Sequence, residues 1–94
     1  MTHIAKISVN NIWSKLEDLI KAKKSDFVFE DNKRYTIQNI GHTIYIKEAS
    51  SVPIEDGGFI KTANENPLIY LKGQDDLYVK AESCNSVLNI GDNE

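Results

Sequence analysis

Tyr35-Thr36-Ile37-Gln38-Asn39-Ile40-Gly41-His42-Thr43-Ile44-Tyr45-Ile46-Lys47 consists of two runs of β-branched and aromatic residues separated by Gly-His. A two-residue loop with glycine first is the pattern of a type II′ β-hairpin. The reading therefore pairs Ile40 with Thr43, Asn39 with Ile44 and Ile37 with Ile46. In that register Tyr35, Ile37, Ile44 and Ile46 share one face, and Thr36, Gln38, Tyr45 and Lys47 share the other. Such apolar-in, polar-out alternation belongs to an antiparallel pair with one face on the core and one in water.

The same texture extends in both directions from this stretch. Short runs rich in β-branched and aromatic residues are broken by Gly, Asn, Asp and Pro, and they place strands near residues 27–30, 34–40, 43–48, 57–62, 68–72, 76–81 and 86–90. Leu68 to Leu71 is apolar on both faces, so it is read either as a central strand or as one covered by a helix. Gly73 to Asp76 then turns the chain. Leu77, Val79 and Ala81 alternate with Tyr78 and Lys80, which makes a second hairpin able to close against the first. The expected fold is mainly β, a small antiparallel β-sandwich or barrel of about seven short strands. No repeat marks a solenoid.

Ahead of the strands, Ile12, Leu16, Leu19, Ile20 and Lys23 recur at helical spacing. They predict one N-terminal amphipathic helix over residues 10–24, started by Asn10 or Asn11 as a cap and ended by three lysines suited to the negative end of the helix dipole. The expected organisation is one domain over residues 1–94: a mobile arm at 1–9, the helix at 10–24, the β-sandwich at 27–90 and a tail at 91–94. Trp13 lies at the edge of the apolar stripe, where it either seals the core or faces a partner. Ile12, Trp13 and Leu16 on the helix, with Tyr45 and Tyr78 on strands among polar neighbours, are the candidate partner-interface residues, since aromatic rings offer apolar area with a polar tip.

Composition narrows the function classes. A chain of 94 residues holds one core, and at this size only roughly 60–65% of the unfolded surface is buried, so partner contacts can supply a meaningful share of stability. Hydrophobic residues at 40% and charged residues at 27% describe an ordinary globular mixture, not a disordered chain. A net charge of -3 has the wrong sign for a general nucleic-acid binder. The charge is uneven: Lys6, Lys15, Lys21, Lys23 and Lys24 outweigh Glu17 and Asp18 in the first 24 residues, and the remainder is acidic. Such asymmetry sets head-to-tail contacts between copies, docks the basic end on an acidic partner, or reflects solvated lysines on a helix. The apolar runs are too short for a membrane span and the N-terminus lacks a leader's apolar stretch, so an unprocessed chain made in the cytoplasm is expected. The lone Cys84 cannot form an internal disulfide, which also fits a reducing compartment.

The residues that carry chemistry are sparse. His3 falls in the expected arm and His42 in the expected loop, neither a place that preorganises a base. Cys84 has only Ser83, Asn85 and Ser86 around it in sequence, with nothing to activate a thiolate. One cysteine and two distant histidines do not make a zinc site. Asp75-Asp76 and Glu55-Asp56 lack the ligand spacing of a calcium loop and are explained by turn chemistry. No phosphate-binding glycine loop or nucleophile elbow is present. No catalytic residue, metal or cofactor is therefore expected, and the protein is read as acting by binding and assembly.

Tyr35-Thr36-Ile37-Gln38-Asn39-Ile40-Gly41 followed by Ile44-Tyr45-Ile46-Lys47-Glu48-Ala49-Ser50-Ser51-Val52-Pro53 resembles a family of small virion proteins of tailed bacteriophages. In that family an Ile-Gln-Asn hairpin, an acidic and small-residue run before Pro, a glycine-containing return and an aromatic strand follow in order; here Asp56-Gly57-Gly58 and Asp76-Leu77-Tyr78-Val79 occupy the last two places. The resemblance covers roughly residues 34–90. It implies a β-sandwich accessory protein of the virion, decorating the capsid or associated with a tail or fibre. Its implied partners are copies of itself, with a trimer as one option, and other virion proteins, without nucleic acid or membrane. The alternative is a carbohydrate-binding or adhesin module using Tyr45 and Tyr78.

Overall fold

The computed structural model describes residues 2–54, 59–61 and 66–92. Two antiparallel sheets of four strands each pack over a shared core. The chain runs β1 (Thr2–Val9), β2 (Ser14–Lys15), α1 (Leu16–Lys21), β3 (Arg34–Asn39), β4 (Ile44–Ala49), β5 (Phe59–Lys61), β6 (Leu68–Leu71), β7 (Asp76–Ala81) and β8 (Ser86–Asp92). One sheet has the order β1-β8-β3-β6 and the other β2-β7-β4-β5. The mainly β class holds, with two separate sheets in place of a closed barrel.

The expected hairpins are not hairpins. β3 bonds to β8 and β6, whereas β4 bonds to β7 and β5, so Gly41-His42 carries the chain from one sheet to the other. Tyr35, Ile37, Ile44 and Ile46 do point into one core, but from opposite sheets. Gly73–Asp76 is a second crossover, since β6 and β7 also lie in different sheets. β6 is neither central nor covered: it is an edge strand, and Ile69 and Leu71 are exposed on its outer side.

Polar side chains brace the first crossover. Asn39 Nδ2 donates to the His42 carbonyl at 2.7 Å, and the Gly41 N–H donates to Asn39 Oδ1 at 3.0 Å. The Ser86 hydroxyl, fully buried, lies 2.8 Å from Asn39 Oδ1 and 2.7 Å from the His42 carbonyl. The chain passes so close to β8 that glycine is required here for space: a Cβ on Gly41 would sit 2.7 Å from both Ser86 Oγ and the Val87 backbone nitrogen.

The N-terminal third departs most from expectation. Residues 2–9 form β1, paired with β8 from Thr2↔Asp92 to Val9↔Ser86, where a mobile arm was expected. Ala5, Ile7 and Val9 are buried while Lys6 and Ser8 are exposed, the two-residue period of a strand. The helix over 10–24 contracts to Leu16–Lys21, and neither Asn10 nor Asn11 caps it; its N-cap position is Lys15, without a side-chain cap bond. Asn10 Oδ1 accepts from the Ile12 N–H instead, and Ser14 and Lys15 extend to pair with Val79 and Tyr78. Only Leu16 and Ile20 of the apolar stripe reach full burial, with Leu19 packed beside them. At the other end Gly91 and Asp92 belong to β8, not to a tail.

Residues 27–30 alternate as a strand would, with Phe27 and Phe29 buried and Val28 exposed, yet they join no ladder. Their backbone is satisfied elsewhere: the Phe29 N–H donates to Glu17 Oε2 at 2.9 Å and the Glu30 N–H to Tyr35 Oη at 2.8 Å. Phe29 meets Tyr35 and Tyr70 edge-to-face with centroids 4.9 and 5.0 Å apart, which closes one part of the core with aromatic rings. Of the strand expected at 57–62, residues 59–61 form β5; the remainder, with the Asp56-Gly57-Gly58 return, lies outside the described residues.

Tyr70 supplies a pH-dependent element of this packing. Burial, with the Glu48 carboxylate nearby, pushes its phenol up to about 12, although a hydrogen bond with the Gly73 backbone pulls the other way. The folded value lies above the value of about 10 for an unfolded tyrosine, so the fold favours the neutral phenol. This contribution to stability is complete below about pH 10 and is lost as pH rises through about 12. Alkaline titration followed by tyrosinate absorbance should show a late-ionising tyrosine in the wild-type chain, and Tyr70→Phe should remove that late phase.

Candidate functional site

Strand alternation sorts the second sheet into two faces. Ile44, Ile46, Leu77, Val79 and Ala81 point into the core and are buried. Tyr45, Lys47, Tyr78 and Lys80 fall on the opposite face, with Tyr45 level with Lys80 and Lys47 level with Tyr78. β2 adds Lys15 beside Tyr78. Just before β2, Trp13 tilts against Tyr45, ring centroids 6.5 Å apart and planes at 38°. Trp13 and Tyr45 are thus brought together on the outer side of this sheet.

That surface is grooved. Trp13, Lys15, Asp18, Leu19, Val52 and Tyr78 are among the residues lining a depression of about 470 Å³. A second depression of about 290 Å³ shares Val52 and continues along Lys47, Ala49, Pro53 and Ile54. Val52 is 58% exposed, Ile54 94% and Ile12 66%. Isolated exposed apolar side chains are ordinary; here Val52 lines the first depression with Trp13 and the second with Ile54. The indole nitrogen of Trp13 is buried and has no hydrogen-bond partner among the described residues, an arrangement that costs about 1–3 kcal/mol for a buried donor.

Electrostatics on this face are local and largely matched. Lys15 Nζ lies 3.2 Å from Asp76 Oδ2, and the hydrogen bond with Asp76 raises the lysine above its ordinary pKa. Lys21 pairs with Glu17 at 3.7 Å. The basic first quarter of the chain is therefore partly neutralised within the fold, leaving Lys23 and Lys24 exposed after the helix. Tyr45 Oη donates to Glu82 Oε2 at 3.2 Å, which orients the ring.

The five candidate interface residues separate on this geometry. Ile12 is exposed, and Trp13 and Tyr45 are half-buried on the grooved face. Leu16 is fully buried, because the chain turns inward as the helix begins and places it in the core; it is corrected from a partner contact to a core residue. Tyr78 is 4% exposed, buried where it was expected to be open; β2 pairs alongside it at Lys15, and it lines the same depression as Trp13 and Val52. Val52 and Ile54 were missed. Their signal was present: two apolar residues flanking Pro53, outside any alternating run, have no sheet face to fill.

The chemistry-bearing residues elsewhere are dispersed. His3 is exposed on β1, His42 is exposed at the crossover, and Cys84 is exposed with Ser83 Oγ 4.0 Å from its sulfur. Among the described residues, no three His, Cys, Asp or Glu side chains gather where they could hold a metal ion. No helix among them is long and apolar enough to cross a membrane. Comparison with family models, with curated proteins and with solved structures returns no match to this chain.

Proposed function

We propose that this chain is a non-enzymatic structural protein of a tailed-bacteriophage virion, a capsid-decoration or tail/fibre-associated component that assembles with copies of itself and docks on the particle. The reading rests on the resemblance over residues 34–90. The docking face is the outer side of the β2-β7-β4-β5 sheet. The observation that carries it is the exposure of Val52 and Ile54, 58% and 94%, beside the half-buried Trp13. Apolar groups left in water at a small domain's surface gain about 25 cal/mol for each Å² that a partner covers. A two-sheet body suits such a role because its core keeps the outer face rigid, which lowers the ordering cost of docking.

Mass spectrometry of purified phage particles, counting this chain relative to the major capsid protein, tests the reading. Many copies per capsid are expected for a decoration protein, and a small fixed number for a tail component; absence from intact, well-covered particles overturns the virion reading. A carbohydrate-binding or adhesin module is the second reading, favoured by the tilted Trp13–Tyr45 pair above a groove, since aromatic faces stack on sugars. A glycan array separates the two: retention of a defined sugar lost in Trp13→Ala supports the second.

A further inference from the structure

β6 lies at the edge of the first sheet and, among the described residues, bonds on one side only, to β3. Sheet edges are normally blunted by charge, brevity or cover, because a free row of N–H and C=O groups is a template for another strand. The opposite edge of the same sheet follows the rule: β1 presents Lys6 and Ser8 outward. In the second sheet, β2 is only two residues long. β6 is also short, at four residues, but Leu68, Ile69, Tyr70 and Leu71 carry no charge, and the outward-facing Ile69 and Leu71 are 49% and 51% exposed. Alongside runs a depression of about 500 Å³ lined by Ile46, Leu68, Tyr70 and Leu77, with Lys47 and Glu48 also on its wall.

We propose that β6 is a dimerisation edge, pairing antiparallel with the β6 of a second copy about a twofold axis at Tyr70, so that one sheet runs continuously through both molecules. The occupant is a second copy because the edge is self-complementary. Residues opposite one another across an antiparallel pair share a face, so the axis at Tyr70 sets Ile69 of each copy against Leu71 of the other. Both exposed apolar side chains are covered at once. The antiparallel direction also sends the two Lys72 residues to opposite ends of the joint, where parallel pairing would set them side by side. Such an isologous contact closes on itself and stops at two copies. It uses a surface separate from the Trp13 face and does not depend on the virion reading.

The test uses the full chain. Light scattering and sedimentation over a dilution series up to millimolar concentration should show a monomer–dimer equilibrium, and hydrogen exchange should show β6 amides gaining protection as concentration rises. Ile69→Lys and Leu71→Lys, both at exposed positions, each place a charge at the joint and should raise the dimer dissociation constant at least about tenfold while leaving the circular dichroism of the monomer unchanged. A wild-type chain that stays monomeric at millimolar concentration overturns the proposal. So does a threefold unit, an assembly that both lysine variants leave intact, or concentration-independent exchange at β6. Since the exchange measurement needs no variant, a variant that fails to fold does not remove the test.

Discussion

Leu16→Ala is expected to lower the stability of the isolated chain by about 3–4 kcal/mol, the middle of the range for truncating a fully buried leucine. Leu16 is 0% exposed and belongs to the same core as Ile20, Val9 and Val79. The helix that begins with it packs against β1 and β7, strands of opposite sheets. The truncation therefore opens a cavity where the two layers are joined, a place with little freedom to collapse. For a domain of this size each kcal/mol shifts the melting temperature by about 4–8 °C, so a loss of roughly 12–32 °C is predicted. Thermal unfolding measured at a concentration where the chain is monomeric checks it. Unchanged monomer stability with weakened self-association would instead return Leu16 to an interface.

Gly41→Ala should destabilise the fold by about 2–3 kcal/mol, as overpacking of a tight site does. The added methyl would lie 2.7 Å from Ser86 Oγ, 2.7 Å from the Val87 nitrogen and 3.1 Å from the Ser86 α-carbon. Two of these three are backbone atoms of β8, which is held between β1 and β3 and cannot retreat from one without disturbing the other. Removing the hydroxyl by Ser86→Ala in the same chain leaves both backbone clashes in place, so the double variant should not recover wild-type stability. It also deprives Asn39 and the His42 carbonyl of a buried partner. Urea unfolding with an unchanged m-value and a lowered midpoint is the expected result. Full rescue by Ser86→Ala would show that the hydroxyl alone sets the requirement for glycine.

These two positions also divide what could be read from the chain from what could not. At Gly41 the sequence correctly marks a reversal between two strands. A type II′ hairpin and a sheet-to-sheet crossover begin from the same local signal, glycine between two alternating runs. They differ in which distant strands receive the hydrogen bonds, and β8 is nearly fifty residues away from β3 in the chain. At Leu16 the helical spacing correctly finds residues that need burial, while the helix length does not follow. Pairing of Ser14 and Lys15 with β7 takes residues that propensity alone would leave helical.

The candidate surface shows the same division. Trp13 was identifiable as an aromatic at the edge of an apolar stripe and Tyr45 as a strand tyrosine among polar neighbours, and the fold brings them together. Tyr78 has the same sequence appearance as Tyr45 but is 4% exposed and paired on one side with Lys15 of β2, a pairing that no local period encodes. Val52 and Ile54 become meaningful only once every core position is filled by other residues.

Local chemistry in the chain determined the mainly β class, the inward sets at Tyr35, Ile37, Ile44, Ile46, Leu77, Val79 and Ala81, and most strand positions, because burial enforces a two-residue period that can be read without knowing the partner strand. Tertiary structure alone decided that β3 and β4 lie in different sheets, that β1 is a strand, that the helix is short and that β6 is an edge. Each of these depends on hydrogen bonds and packing between segments far apart in the chain, where the same alternating pattern is compatible with several pairings and only the assembled core selects one.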